Sequence, residues 1–439
     1  MSGRRHRVSL REVFADVMFC TTPDVVIIKP ERFENMIQQP YQAIEEIQKS
    51  LEKNIPHQLA ALYLFGSIAQ EKYIPGLSDI NLLAVVQEGT SIHDVRAALR
   101  PIWLKYASAA SAVIQQMPLI ATPATLDRHL EVNPLLAAHI VKFGRLLTGR
   151  NLQLRSQPTS PAEKIGVLSR AALNASTVIA PRLLPDHKVQ PNLKRLYRLA
   201  NYLELDTRPQ THSPVETVAA VQAHMARLLA EQPALRWESP PSADAPPLVD
   251  ALLTIYELQD RAVFLLPDWP PDRIEAYIKA VDWSAVAESL AGQYYGLQLS
   301  TPAQFRLMMY YNQSSDHYFR NYNHAWGQDP LASLTIPRRE TYKELARRAS
   351  HIEIKSFPHA YITTDDDEFS TLIHDFQNKL LNIQLREELM ARFEKRPRVT
   401  PPIPLPDRSF PAPTRIDAIF DHLHWWTEHY TAAMHREKA

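Results

Sequence analysis

The feature that most constrains this chain is the stretch Leu59–Gln87, LAALYLFGSIAQEKYIPGLSDINLLAVVQ. Its apolar run from Ala60 to Phe65 reads as a buried strand, turned sharply by Gly66-Ser67. A short helical segment holding Pro75 and Gly76 is expected next, then a second strand from Asp79 to Val86. Residues 79 and 81, two apart on a strand, point to one face. A glycine-serine turn offers backbone N–H groups to an anion. A carboxylate beside it, Asp79, offers a ligand to the divalent ion that accompanies a nucleoside triphosphate.

This pattern resembles the nucleotidyltransferase superfamily that includes DNA polymerase beta and the aminoglycoside nucleotidyltransferases. Phe65-Gly66-Ser67, the spacer of residues 68–78 and Asp79-Ile80 carry the resemblance. It implies that Gly66 and Ser67 hold the triphosphate, that Asp79 binds Mg2+, and that residue 81 takes the second metal position. Asn81 stands where the family has Asp or Glu, and an amide is a weaker magnesium ligand. The family also takes a third carboxylate from the next strand. Here Val95 to Leu126 contains no Asp or Glu, and the candidate strand, Ser111–Thr122, offers only Gln115 and Gln116. Glu71, Glu88 and the cluster Asp365–Glu368 are other sources for a missing acid. The segment FGRLLTGRNL, from Phe143, resembles the closing segment of bacterial members, so the likeness covers residues 1–150.

Two functions of different class follow. One is transfer of a nucleoside monophosphate from a triphosphate, with magnesium, to a hydroxyl of an acceptor that the sequence does not identify. The other is a catalytically inactive relative, acting as a nucleotide-binding or protein-interaction scaffold. Lys plus Arg equals Asp plus Glu at 48 each, so no basic field marks a nucleic-acid partner. Cys20 is the single cysteine, which excludes an intramolecular disulfide and a multi-cysteine zinc site. No run is long enough to span a membrane, and the basic N-terminus is interrupted by Glu12 and Asp16, so a cytoplasmic location is expected.

With 35 prolines against 10 glycines, the chain reads as helices punctuated by proline. The expected fold class is α+β: a small mixed-sheet domain over 1–150, a helical domain over 151–300, and a helical C-terminal region over 301–439. Helices are expected at Glu31–Lys53, Ile92–Ala107 and Pro134–Leu147, at 161–184, 191–205, 214–231, 247–266, 271–281 and 283–295, and at Arg415–Arg436. A further long helix is expected to end near Phe393. Ile352–Thr363 is expected as a short strand, and Pro397–Pro413 as an extended strap. No internal repeat of fixed period is apparent. Tyr310–Trp326 concentrates Asp316, His317, Arg320 and His324 among aromatics, and reads first as a helix with an aromatic core stripe. Asp365–Glu368 reads as a helix N-terminus, and His422, His424 and His429 as ordinary helix residues rather than a metal site.

Overall fold

The structure is a computed structural model that describes residues 30–73, 78–107, 114–156, 158–206, 212–237, 249–258, 260–312, 323–402, 404–406 and 409–437. The order begins α1 (Pro30–Asn54), β1 (Leu59–Phe65), β2 (Asn81–Val86), α2 (Ile92–Ala107), β3 (Leu119–Ala121), α3 (Pro123–Val132), α4 (Pro134–Phe143) and β4 (Arg145–Gly149). It continues α5 (Pro161–Ala175), α6 (Asp186–Tyr202), α7 (Pro214–Ala230), β5 (Thr254–Leu258), β6 (Arg261–Leu265), α8 (Pro271–Ala280), α9 (Trp283–Leu290), β7 (Gly296–Ser300), α10 (Pro302–Asn312) and β8 (Asn323–Gly327). It closes with α11 (Arg338–His351), a π-helical turn (Ile352–Ser356), α12 (Phe357–Thr363), α13 (Phe369–Phe393) and α14 (Ala412–Arg436). Two small mixed sheets are therefore followed by a mostly helical C-terminal region.

The chain divides into two units. The first takes 36–164, 309–320 and 334–439, and the second takes 1–35, 165–308 and 321–333. The first unit's sheet has the order β3-β2-β1-β4, with β2 antiparallel to β1 and parallel to β3. Its strands are continuously apolar because both faces are covered. Leu62, Leu64, Leu82 and Ala84 point into one core with α1, α2 and the C-terminal helices, where Phe357, Phe376, Trp426 and Tyr430 are buried. Tyr63, Phe65, Leu83 and Val85 point the other way, onto Leu126 and Leu130 of α3 and Ile140 of α4. The C-terminal helices thus complete the first unit's core rather than forming a separate body.

Two arginines fix α12 in this unit. Arg96 of α2 donates to the carbonyls of Tyr361 (2.5 Å), Ile362 (3.2 Å) and Thr364 (3.0 Å), and Arg100 donates to Ile362 (3.1 Å) and Thr363. These are carbonyls that the end of a helix leaves unsatisfied, and cations are favoured there. The same guanidiniums reach Asp366 and Asp365, so that acidic pair belongs to the clamp.

The second unit repeats the first unit's sheet. Its order is β7-β6-β5-β8, with β6 antiparallel to β5 and parallel to β7. The registers also agree. The fourth strand shifts between Leu62↔Thr148 and Tyr63↔Leu146 in one sheet, and between Ile255↔Trp326 and Tyr256↔His324 in the other. Leu83↔Leu119 through Val85↔Ala121 answers to Val263↔Gln298 through Leu265↔Ser300. Both third strands enter a helix through Thr-Pro-Ala, at Thr122–Ala124 and Thr301–Ala303. An acid just past the second strand then accepts from that alanine's N–H, Glu88 at 3.3 Å and Asp268 at 3.3 Å. Gly149 and Gly327 end the fourth strands at φ +87° and +86°. A Cβ there would lie 2.8 Å from Ala61 Cα and 2.9 Å from Thr254 Cα, respectively. One frame is thus built twice, without a fixed period in the sequence.

Other expectations are also corrected. The span 247–266, expected as a helix, forms the β5–β6 hairpin, so the region from Ser160 to Gly296 is not all-helical. Ile352–Thr363, expected as a strand, is helical throughout, because its buried residues Ile354, Phe357, Pro358, Tyr361 and Ile362 recur every three or four positions. Pro358 has no N–H to continue the α-helical ladder, and the π turn before it accommodates that gap. The helix from Pro134 stops at Phe143, and Arg145–Gly149 pairs with β1 as an edge strand. Among the described residues of Ser111–Thr122, 114–122, only Leu119–Ala121 is strand. A short strand expected at Val25–Ile28, most of a proline-rich loop expected at 232–247, and Cys20, Pro75, Gly76, Asp316, His317 and Arg320 lie outside the described residues.

Candidate functional site

The four residues singled out in the sequence lie together where β1 hands over to β2 in the first unit. Phe65 pairs with Asn81, so Gly66 leaves the sheet directly beside the Asn81 side chain. Gly66 has φ +80°, and a Cβ on it would stand 2.5 Å from Asn81 Nδ2. Both the dihedral and the space favour glycine. The chain then makes one helical turn, not a longer helix. Gln70 N–H donates to Gly66 O (3.2 Å), Glu71 N–H to Ile68 O (3.0 Å) and Lys72 N–H to Ser67 O (2.8 Å). Those last two bonds, with Glu71 at φ +61°, form a Schellman stop.

Asp79 sits just before β2 and is 4% exposed. Asn81 Nδ2 donates to the Asp79 backbone carbonyl at 3.3 Å, so its amide is tied down between that carbonyl and Gly66. Burial, with the Asp79 carboxylate adding to it, pushes the Tyr73 hydroxyl up to about 12, so Tyr73 is a protonated donor at neutral pH. The second group near Asp79 is His359 of α12, which no motif or spacing places here. Its Nδ1 accepts from the Met117 backbone N–H at 3.2 Å, and Trp103 meets its ring edge-on at 5.6 Å. Burial and the charge of Lys355 lower the His359 pKa, while Asp79 works in the opposite direction.

The other acids do not come to this site. Glu71 pairs with Arg145 at 3.1 Å on the surface. Glu88 caps α3, and Asp365 and Asp366 serve the arginine clamp. Gln115 and Gln116 lie in the bend before β3. The C-terminal histidines point to separate partners: His424 to Glu353 (2.9 Å) and Glu428 (3.4 Å), and His429 to Glu387 (3.8 Å) while it stacks on Trp425. His422 is buried. His324 and Trp326, expected in a helix, are on the edge strand β8 of the second unit. Among the described residues no three His, Cys, Asp or Glu side chains gather as a metal centre, and no helix is long and apolar enough to cross a membrane.

Compared with protein-family models and with curated proteins, the sequence matches none.

Proposed function

We propose that the first unit is a nucleotidyltransferase-like domain that binds a nucleoside triphosphate at Gly66, Ser67 and Asp79. The observation that carries the reading is a single buried carboxylate, Asp79, at the head of β2, beside a turn that opens on Gly66 at φ +80° against Asn81. The mixed order of the sheet supports it.

Asp79 would hold one Mg2+ together with phosphate oxygens of the nucleotide. The site does not fit two ions, because Asn81 is neutral and its amide is engaged. Bound there, the ion supplies charge neutralisation to the phosphates. In a transfer reaction the protein's own part is positioning: Gly66 and Ser67 seat the phosphates and Tyr73 donates nearby, while the acceptor hydroxyl displaces pyrophosphate at the α-phosphate.

Calorimetry of the four nucleoside triphosphates, with and without magnesium, on wild type and Asp79→Ala tests the reading. Binding that needs both magnesium and Asp79 is expected. No binding at millimolar nucleotide, or binding indifferent to Asp79, overturns it.

A second reading is favoured by Asn81 itself, which holds a structural bond where the resemblance calls for an acid. In that reading the domain binds nucleotide as a scaffold without transfer chemistry. Asn81→Asp discriminates: stronger magnesium-dependent binding marks an intact pocket that has lost a ligand, and unchanged binding argues against a metal position there.

A further inference from the structure

We propose that His359, carried in on α12 from the C-terminal region, is a phosphate-binding residue of this site, donating its Nε2–H to a phosphoryl oxygen of the bound nucleotide. The inference rests on the reading of Asp79 and Gly66 as a nucleotide site. It starts from the sheet. Leu83 faces Leu119 in the parallel pair, so Asn81 and Met117, each two residues earlier, head neighbouring strands. His359 is bonded to the Met117 amide and therefore stands at the same end of the sheet as Asn81 and Asp79.

The bond fixes the ring's chemistry. A backbone N–H can only donate, so Nδ1 is the bare nitrogen and the proton of the neutral ring is on Nε2. Lys355 and Asp79 are the charged groups that act on it. Among the described residues Nε2 has no protein partner. A donor N–H on a half-buried ring, oriented by Met117 and Trp103, is suited to an anion rather than a cation. Lys355 lies four residues earlier on the same helical run and adds positive charge.

The second unit acts as an internal control. Its counterpart of Met117 is Gly296, since Gln298 occupies the place of Leu119. A Cβ on Gly296 would meet the Thr177 methyl at 2.9 Å, Leu184 at 3.6 Å and the Arg261 stem at 3.7 Å. There the strand head is closed by aliphatic groups, so the frame does not require a histidine. The second unit also lacks the span 66–80, with only residues 259 and 260 between β5 and β6. The strand head bonded by a histidine and the glycine turn are present in the same copy and replaced in the other.

The test is affinity for the tightest-binding nucleoside triphosphate and for its nucleoside, measured on wild type, His359→Ala and His359→Gln. His359→Ala is expected to weaken triphosphate binding about tenfold or more, roughly 1.4 kcal/mol, and to leave nucleoside binding unchanged. His359→Gln, which keeps an N–H donor, is expected to recover part of the loss. Triphosphate binding by His359→Ala equal to wild type overturns the assignment. Should His359→Ala fail to fold, the imidazole 15N spectrum of wild type decides. An Nε2 resonance that moves with triphosphate but not with nucleoside supports the proposal, and one that moves with neither overturns it. Wild type that binds no nucleotide removes the site reading and this inference together, whereas binding that depends on Asp79 and not on His359 removes this inference alone.

Discussion

Placing a methyl group at the end of each fourth strand probes the doubled frame directly. Gly149→Ala and Gly327→Ala both force a left-handed residue onto a side chain, at a cost of about 1–2 kcal/mol. They also set the new Cβ 2.8 Å and 2.9 Å from the Cα of Ala61 and Thr254, and closer still to the preceding carbonyl oxygen. Carbon atoms pack at about 3.5–4.0 Å, so the edge strand must move away from its neighbour. Overpacking of that kind costs about 1–3 kcal/mol, which brings the total to about 2–5 kcal/mol. Gly89 and Gly292 are matched controls, with φ of +79° and +88° and nothing within 4 Å of a Cβ, and each should cost only the dihedral term. Urea unfolding followed by tryptophan fluorescence reads the result, with Trp103, Trp425 and Trp426 in the first unit and Trp269 and Trp283 in the second. At an m-value of about 1–3 kcal/mol/M, Gly149→Ala should shift the first unit's midpoint by about 1 M more than Gly89→Ala. Gly327→Ala should do the same to the second unit relative to Gly292→Ala. If either strand-end variant matches its control, the close approach of the fourth strand is wrong, and with it the equivalence of the two sheets.

His129 gives a pH prediction. Burial, with His351, Lys355 and Arg347 adding, lowers its pKa from 6.5 to about 3, so only the unfolded chain takes up this proton between those values. Stability should be full above pH 6.5 and fall with acidification at up to about 1.4 kcal/mol per pH unit, and His129→Gln should flatten that slope in denaturation curves. The arginine clamp predicts unequal partners: Arg100→Ala should cost about 2–3 kcal/mol by stranding helix-end carbonyls, whereas Asp365, 65% exposed, should lose under about 1 kcal/mol as Asp365→Asn. Equal losses in thermal unfolding would show that the ion pair, not the carbonyls, holds α12. Arg396 bridges fully buried Glu387 (2.6 Å) and Glu394 (2.6 Å), so Arg396→Ala should cost about 3–5 kcal/mol. Adding Glu387→Gln should return much of that loss, and a double variant as unstable as the single one contradicts the argument.

The sequence made the first unit's centre legible because both faces of β1 and β2 are covered, and a strand buried on both faces is a continuous apolar run. Gly66 was legible for a backbone reason, since its φ of +80° beside Asn81 favours glycine. The β5–β6 hairpin was not, because the two residues between its strands are Gln259 and Asp260, without the glycine or asparagine that marks a tight hairpin turn. Ile352–Thr363 misled for a related reason: Ile352 and Ile354 alternate, but the period that decides the matter is set further along, by Phe357, Tyr361 and Ile362 packing as helix. His359 could not be found by spacing at all. It reaches the site only through tertiary packing of α12, which Arg96 and Arg100 hold from more than two hundred and fifty residues away in sequence.

The hidden repeat connects these points to the site. A sheet is specified by which residues pair and which face they present, and these constraints leave most identities open. Between the two copies, identity survives mainly where backbone geometry demands a residue type: the Thr-Pro-Ala helix start and the glycine that ends the fourth strand. The spacing between counterparts changes wherever one copy carries extra chain, which is why no fixed period is visible. The longest such change falls between the first and second strands, where one copy has residues 66–80 and the other has two residues. Since the second sheet keeps its order and register without this insertion, the glycine turn, Tyr73 and Asp79 are not needed to build the frame. The copy with the insertion buries a carboxylate, Asp79, at the head of β2, and in the same copy the backbone N–H before β3 is bonded by His359, which is why the proposed ligand is placed at this corner.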